Sequence, residues 1–367
     1  MSNNKLKGIK FYLKLEGQGG VNYNGVENVY DNEIKGTKPI NRLKKSITIE
    51  KVMDEYGNVS DKEIEHAKIS SGCLRYHLFE GIKCDSSLWG FIPNSCDFIS
   101  SPMGFMRGYM CAGGSAPSGN GFGKASCLTP YDAIETKSGI TEEQNTKSGY
   151  RDCNSLFTKE TIGETEYHSC GFFNIKEAQF LSLDLYSGRL GADKEYFEGS
   201  DKKSIEDGGT PCGSALENKF ISHYGRVPYK VGFFKTKVDV VATGKGWGSE
   251  YGLLFDDEYV NTLINKALNA LLDLRIIRCG GYAETTELKI ELIYEGGSKG
   301  KEIVVTKDNV NDLNFEIEQF YVEDSFEGWK NRKKHIEEKD KKSKDKKDKK
   351  QQEKEEWKKS QKKDNDE

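Results

Sequence analysis

The run Ile9-Lys10-Phe11-Tyr12-Leu13-Lys14-Leu15 alternates apolar and polar with a period of two, and Gly17-Gln18-Gly19-Gly20 ends it. This pattern predicts an N-terminal strand feeding a glycine loop. From Lys35 to about Lys68 the chain is lysine-rich, with alternating Ile47 and Ile49 and a turn signal at Tyr56-Gly57-Asn58, which predicts a long exposed β-hairpin or irregular excursion. A polar excursion of that size ordinarily touches something outside its own domain. Ser70 and Ser71 precede a helix predicted from Gly72 to about Ile82, with Cys73, Leu74, His77 and Leu78 on one face and Arg75 and Phe79 on another. Phe105 to Lys124 reads as a strand, FMRGYM, that dissolves into a flexible Gly/Ser loop ending in Lys124.

Thr165 to Asp184 reads as two adjoining strands, and Phe233 to about Ala242 as another before the loop Gly244-Lys245-Gly246-Trp247-Gly248. The strongest helical pattern runs from Asp256 to Leu274, with Val260, Leu263, Ile264, Ala267, Leu268 and Leu271 at helical spacing behind an acidic start. Arg278-Cys279-Gly280-Gly281-Tyr282 follows, then strands near Glu287 to Tyr294, Ile303 to Thr306 and Phe315 to Val322. Strand, helix, several strands, helix, strands is an α+β order, not alternating βαβα. It suits a ferredoxin-like (RRM-like) antiparallel sheet over residues 1–328 with large insertions: the 35–68 excursion, the 113–124 loop and a 186–213 insert. From Trp329 to the end nearly every residue is charged, and acidic residues stand four places before basic ones, as in Glu337 and Lys341. That tail is expected to be disordered or a solvated single helix.

Composition narrows the chemistry. The net charge is −4, from 55 Lys and Arg against 59 Asp and Glu, so any nucleic-acid binding must come from a local field rather than from the whole chain. The nine cysteines contain no Cys-x-x-Cys pair and the five histidines no i, i+4 pair, which disfavours a metal site and favours free buried thiols. No apolar run approaches a membrane span and the first residues lack the pattern of a secretory signal, so a cytoplasmic protein is expected. The GKGWG loop lacks the order of a phosphate-binding P-loop. His77 reads as a packing histidine and Cys73 has no nucleophile constellation around it, so no catalytic residue and no cofactor is assigned.

Several segments in order resemble one family. FYLKLEGQGGVNYNG, GCLRYHLFEG, GFMRGYM and YRDCNSLFTKETIGETEYHSCGFFNIKEAQFLSLD are similar, between about Ile9 and Tyr294, to the backbone subunit of the type I-F variant of the CRISPR Cascade complex, a member of the RAMP superfamily. The Gly113 to Gly123 loop, the Tyr186 to Gly213 insert, GKGWG and the charged tail depart from it. The resemblance implies a palm carrying an RRM-like sheet, a thumb, and head-to-tail assembly of identical copies along a guide RNA. It also implies other Cascade subunits as partners, among them the guide-processing endoribonuclease, and target DNA met through the guide, with no membrane.

A guide holder must grip phosphates without reading bases, a task for Arg, Lys, amide side chains and glycine-loop backbone, with aromatic rings for unpaired bases. The candidates are Asn22, Tyr23, Asn24, Arg75, Arg107, Lys124, Arg151, Lys159, Arg278, Gly280 and Gly281. The bland alternatives are specific: a turn in which Asn22 caps backbone and Tyr23 covers the core edge, a surface ion pair for Arg75, and an ordinary glycine helix stop before Gly280. Arg107, inside an apolar run, needs an anionic partner. Two other functions fit the same sequence. One is a RAMP endoribonuclease cleaving bound target RNA with Asp54, Glu55 or Asp61 of the thumb, and the other is a filament protein without nucleic acid.

Overall fold

In the computed structural model Leu6–Gln18 forms strand β1, whose alternation buries Ile9, Phe11, Leu13 and Leu15 while Lys10, Tyr12 and Lys14 look the other way. The structure describes residues 5–31, 35–53, 59–81, 96–116, 119–136, 139–146, 156–184, 190–197, 214–237, 249–278 and 280–331, with further helical positions between 333 and 350. After β1 come Tyr23–Asp31 (β2), Gly36–Leu43 (β3), Lys45–Met53 (β4), Val59–Ile69 (β5), Tyr109–Cys111 (β6), Phe122–Lys124 (β7), Leu128–Pro130 (β8) and Ala133–Glu135 (β9). Thr141–Thr146 (β10), Leu156–Thr161 (β11), Glu164–Asn174 (β12), Phe180–Ser182 (β13), Tyr229–Thr236 (β14) and Glu250–Phe255 (β15) continue the series. Arg275–Arg278 (β16), Gly281–Tyr294 (β17), Lys299–Val305 (β18) and Tyr321–Asp324 (β19) complete it. The α-helices are Ser71–Gly81 (α1), Cys96–Ser100 (α2), Pro102–Arg107 (α3), Ile175–Gln179 (α4), Lys194–Phe197 (α5), Ala215–Tyr224 (α6) and Asp257–Leu272 (α7).

The fold is mixed α+β and mostly strand. A nine-stranded sheet runs β16-β17-β1-β12-β9-β5-β4, with β18 also on β17 and β8 also on β12. Smaller sheets run β10-β11-β3-β2 and β13-β15-β14-β19. Among the described strands pairing is antiparallel except between β11 and β3, and an isolated parallel bridge joins Leu6 to Ile317. The odd-numbered face of β1 packs toward α1, α4 and α7 in one continuous apolar core. Phe105, Phe255 and Tyr259 meet there at centroid distances of 4.4 to 5.5 Å, each fully buried ring contributing about 1.5–3 kcal/mol. Asp256 caps α7 by accepting from the Tyr259 amide at 2.8 Å, and is itself held by both Arg226 guanidinium nitrogens. No helix among the described residues is long and apolar enough to cross a membrane.

Several expectations are corrected. The Lys35 to Lys68 excursion is not one hairpin but parts of two ribbons, β2–β3 and β4–β5, which split at Lys44. The split is fixed by backbone, since Lys44 N–H donates to Asn22 C=O and Lys68 N–H to Lys44 C=O. FMRGYM is not a strand: Ser101 caps α3 by accepting from the Gly104 amide, Pro102 starts it, and Gly108 at φ 72° ends it, so only Tyr109 onward is extended. Phe79 belongs to the buried face of α1 with Leu74 and Leu78, whereas His77 is half-buried. A helical turn, α4, separates the two strands between Thr165 and Asp184 because Asn174 caps it. The 113–124 loop contains a 3-10 turn and β7. Trp329 is not the first tail residue but part of the body, 2% exposed and donating from Nε1 to Asp184 at 3.0 Å. The Tyr56-Gly57-Asn58 turn, most of the 186–213 insert and the GKGWG loop lie outside the described residues.

Candidate nucleic-acid interface

The β1–β17 register sets Gln18 opposite Tyr282, which brings the glycine turn after β1 against the one before β17. A Cβ on Gly281 would stand 2.7 Å from the Gly20 carbonyl oxygen, so Gly281 serves close backbone packing. Gly280 differs. Its φ is +83°, it is exposed, and the nearest atom to the place of a Cβ is Lys159 Nζ at 3.9 Å. Arg278 is exposed and faces Gly281 across the β16–β17 ladder, where Ile277 and Tyr282 form the next pair, 70% and 45% exposed. One end of the main sheet thus gathers open backbone, two cations and an exposed ring, a set that accepts phosphate and stacks a base.

A second cluster joins α1 to α3. Arg75 Nη2 donates to the Arg107 carbonyl at 2.6 Å, while Arg75 Nε is buried with no hydrogen-bond partner among the described residues. Burial, and then the Arg75 charge, lower the Arg107 pKa from its ordinary value, so two guanidiniums stand close enough to repel. Tyr76, 50% exposed, lies beside them. Such a pair draws an anion, and a fork-shaped group suits a phosphate.

The other expected residues divide. Asn22 is 5% exposed and donates to Ser70 Oγ at 3.2 Å and to the Lys68 carbonyl, and Tyr23 Oη donates to the Glu160 carbonyl at 3.1 Å. These two residues build the joint of the ribbons, and only Asn24 is exposed there. Lys124 is a correction: its ammonium turns inward, donating to the Glu177 and Ala125 carbonyls and lying 4.4 Å from the Phe105 ring, which removes it from a surface RNA path. Arg151, Asp54 and Glu55 lie outside the described residues, and Asp61 is exposed on β5 opposite Lys51.

Sequence reading missed the centre of the joint. The Glu160 side chain is 3% exposed and accepts from Arg42 Nη1 at 2.6 Å, Lys45 Nζ at 2.9 Å and the Leu43 amide at 2.9 Å. Burial pushes this carboxyl up, but the hydrogen bonds from Lys45, Arg42 and the Leu43 amide outweigh it and hold it below its ordinary range. Nothing in the KE pair at 159–160 announces that one residue faces a glycine turn and the other a buried joint. The described cysteines Cys73, Cys96, Cys111, Cys127 and Cys170 are free, and burial pushes the Cys127 thiol up to about 12. Among the described residues no three His, Cys, Asp or Glu side chains gather as metal ligands.

Comparison with known proteins gives a family. The type I-Fv CRISPR-associated protein family Cas7fv-like matches residues 5–323. No curated protein matches the chain. Among solved structures, a chain of a type IV-B CRISPR complex is similar at 9% identity over 45% of this chain and 73% of that one, with a TM-score of 0.24. A chain of a CRISPR RNA-guided surveillance complex, pre-nicking, is 7% identical over 78% and 79%, with a TM-score of 0.32. Csc2 of Thermofilum pendens is 11% identical over 90% and 76%, with a TM-score of 0.27. At these TM-scores the structural likenesses carry no argument, and the assignment stands on the family match over most of the chain. The chain belongs to the type I-Fv Cas7fv-like family of CRISPR-associated proteins, and is a backbone subunit of a Cascade-type surveillance complex.

Proposed function

We propose that the chain holds a single-stranded CRISPR guide RNA by its phosphates and multiplies along it head to tail, leaving the bases to read target DNA. In this reading the main sheet is an RRM-like palm, and the β2–β3 and β4–β5 ribbons rooted at Glu160 are the thumb. The observation that carries the proposal is the meeting of the two glycine turns with Lys159 and Arg278 at one end of the main sheet. Arg75 and Arg107 supply a second phosphate grip, and Tyr76 and Tyr282 are rings placed to stack an unpaired base. Other Cascade subunits and neighbouring copies are the protein partners, with the guide-processing endoribonuclease among them. The role is binding, not catalysis.

The test is co-expression with a CRISPR array, followed by sequencing of the RNA that copurifies and by binding to single-stranded RNA of arbitrary sequence across a salt series. The expected result is array-derived guide RNA and sequence-indifferent binding that falls by roughly 0.7 in log K per phosphate contact for each tenfold rise in salt. Arg75→Ala and Arg107→Ala each weaken binding to every sequence alike while the chain stays folded. A flat salt response, or copurified RNA unrelated to the array, overturns the reading, and magnesium-dependent cleavage of complementary RNA would replace it with the endoribonuclease.

A further inference from the structure

The family match ends at residue 323, and the segment beyond the final strand has a charge opposite to that of the body. Residues 1–329 hold 38 Lys and Arg against 48 Asp and Glu, a net −10, whereas residues 330–350 hold 12 against 5, a net +7. The segment does not leave the body at random. Trp329 is buried, bonded to Asp184 and packed on Phe233 and Phe326, and the described positions from 326 to 350 are helical. Lys342, Lys346 and Lys350 recur every four residues and are exposed, making a row with a repeat of about 6 Å at a 1.5 Å rise per residue. Lys341, Lys344 and Lys347, equally exposed, form the adjoining row. Like charges at these spacings repel along a helix; Glu337, Glu338, Asp340, Asp345 and Asp348 stand three or four places from Lys341, Lys342 and Lys344, whereas Lys346 and Lys347 have no acidic residue at those spacings. A helix that merely solubilises has no need of such a ridge, whereas a polyanion laid along it relieves the repulsion.

We infer that this anchored ridge is a second nucleic-acid contact, outside the family's fold, which takes a phosphodiester backbone without reading bases. Duplex DNA is its better ligand, because a duplex carries one charge per about 1.7 Å of axis and a single strand fewer. The inference goes beyond the guide grip proposed above and does not depend on it, since the anchor sits on the β13-β15-β14-β19 sheet and the glycine turns on the main one.

The experiment compares the full chain with a Lys342→Gln, Lys346→Gln, Lys350→Gln variant by fluorescence anisotropy on a short duplex DNA and a single-stranded RNA of equal length. Because the variant neutralises three fewer phosphates, the slope of log K against log salt on the duplex becomes shallower by about 2.7. Circular dichroism shows equal or greater helix in the variant, and a Lys299→Gln chain, changed at an exposed position of β18, keeps the parental duplex slope. An unchanged duplex slope overturns the inference and leaves a solvated helix. A change on the RNA alone overturns the duplex assignment, and loss of RNA-free oligomers on size exclusion instead makes the acidic body of a second copy the partner.

Discussion

Replacing Glu160 with glutamine keeps the shape of the ribbon joint and removes its buried charge. The carboxylate presents two acceptor oxygens to three donors, and the amide presents one, so either the Leu43 amide or the Arg42 and Lys45 cations must face an NH2 group. A hydrogen bond to a charged group contributes about 1.5–3 kcal/mol. Arg42 retains Glu27 at 3.0 Å and Lys45 retains Glu65 at 2.7 Å, both at the surface, so the lower part of that range applies, about 2 kcal/mol. The loss is local to the root of the ribbons. Amide hydrogen exchange reads it directly, because the Leu43 N–H donates to Glu160 itself, and about 2 kcal/mol corresponds to roughly 30-fold faster exchange. The pH dependence has a definite sign. A carboxyl held below its ordinary 4.5 in the folded protein contributes its full stabilisation above that value and loses it as pH falls through the lower folded value. The parent and Glu160→Gln chains therefore differ at neutral pH and converge in acid. Unchanged Leu43 exchange at neutral pH, or a difference that persists undiminished in acid, refutes the reasoning.

Gly281→Ala forces the two glycine turns apart and costs about 1–3 kcal/mol, seen as a fall in melting temperature. Gly280→Ala meets no backbone and is penalised only for its positive φ, about 1–2 kcal/mol. Trp329→Ala removes a buried ring and the donor to Asp184, which destabilises by about 3–5 kcal/mol and frees the charged helix to proteolysis. Ile47→Ser with Ile49→Ser, 58% and 68% exposed on the β4–β5 ribbon, leaves the stability of the free chain within about 0.5 kcal/mol of the parent and reduces cooperative assembly on a long RNA by size exclusion.

What is legible in the sequence is what local periodicity records. β1 and α7 follow from apolar residues at spacings of two and of three to four, whereas the Asp256 cap emerges only from the structure. The misreadings have two causes, a local start signal passed over and distant partners that override a local pattern. Phe105 and Met106 look extended until Ser101 and Pro102 are seen to start a helix, and Lys124 looks like a loop cation until Glu177, 53 residues away, supplies its carbonyl. Asn22 reads as an RNA contact, whereas the structure gives its side chain to Lys68 and Ser70. The glycine pair at 280–281 stands out in the sequence, but its division of labour does not, since only the register of β1 on β17 separates Gly281, which packs, from Gly280, which is open. Glu160 carries no local signal at all, because its three donors come from the β3–β4 junction more than a hundred residues earlier.

The β4–β5 ribbon also bears on how cells can make this protein. Among the described residues β4 is the last strand of the main sheet, with an outer edge of unpaired N–H and C=O groups there, and Ile47, Ile49, Met53 and Val59 stand more than half exposed on one face of the ribbon. An open edge beside an apolar stripe is a template for strand addition between chains. Lys45 and Lys51 interrupt the stripe on β4, and Asp61, Glu63 and Glu65 line β5 across from it, charges that oppose a face-to-face stack of identical ribbons. That defence fades when salt screens it. Made in quantity as a free chain, the protein is thus expected to precipitate more readily as ionic strength rises.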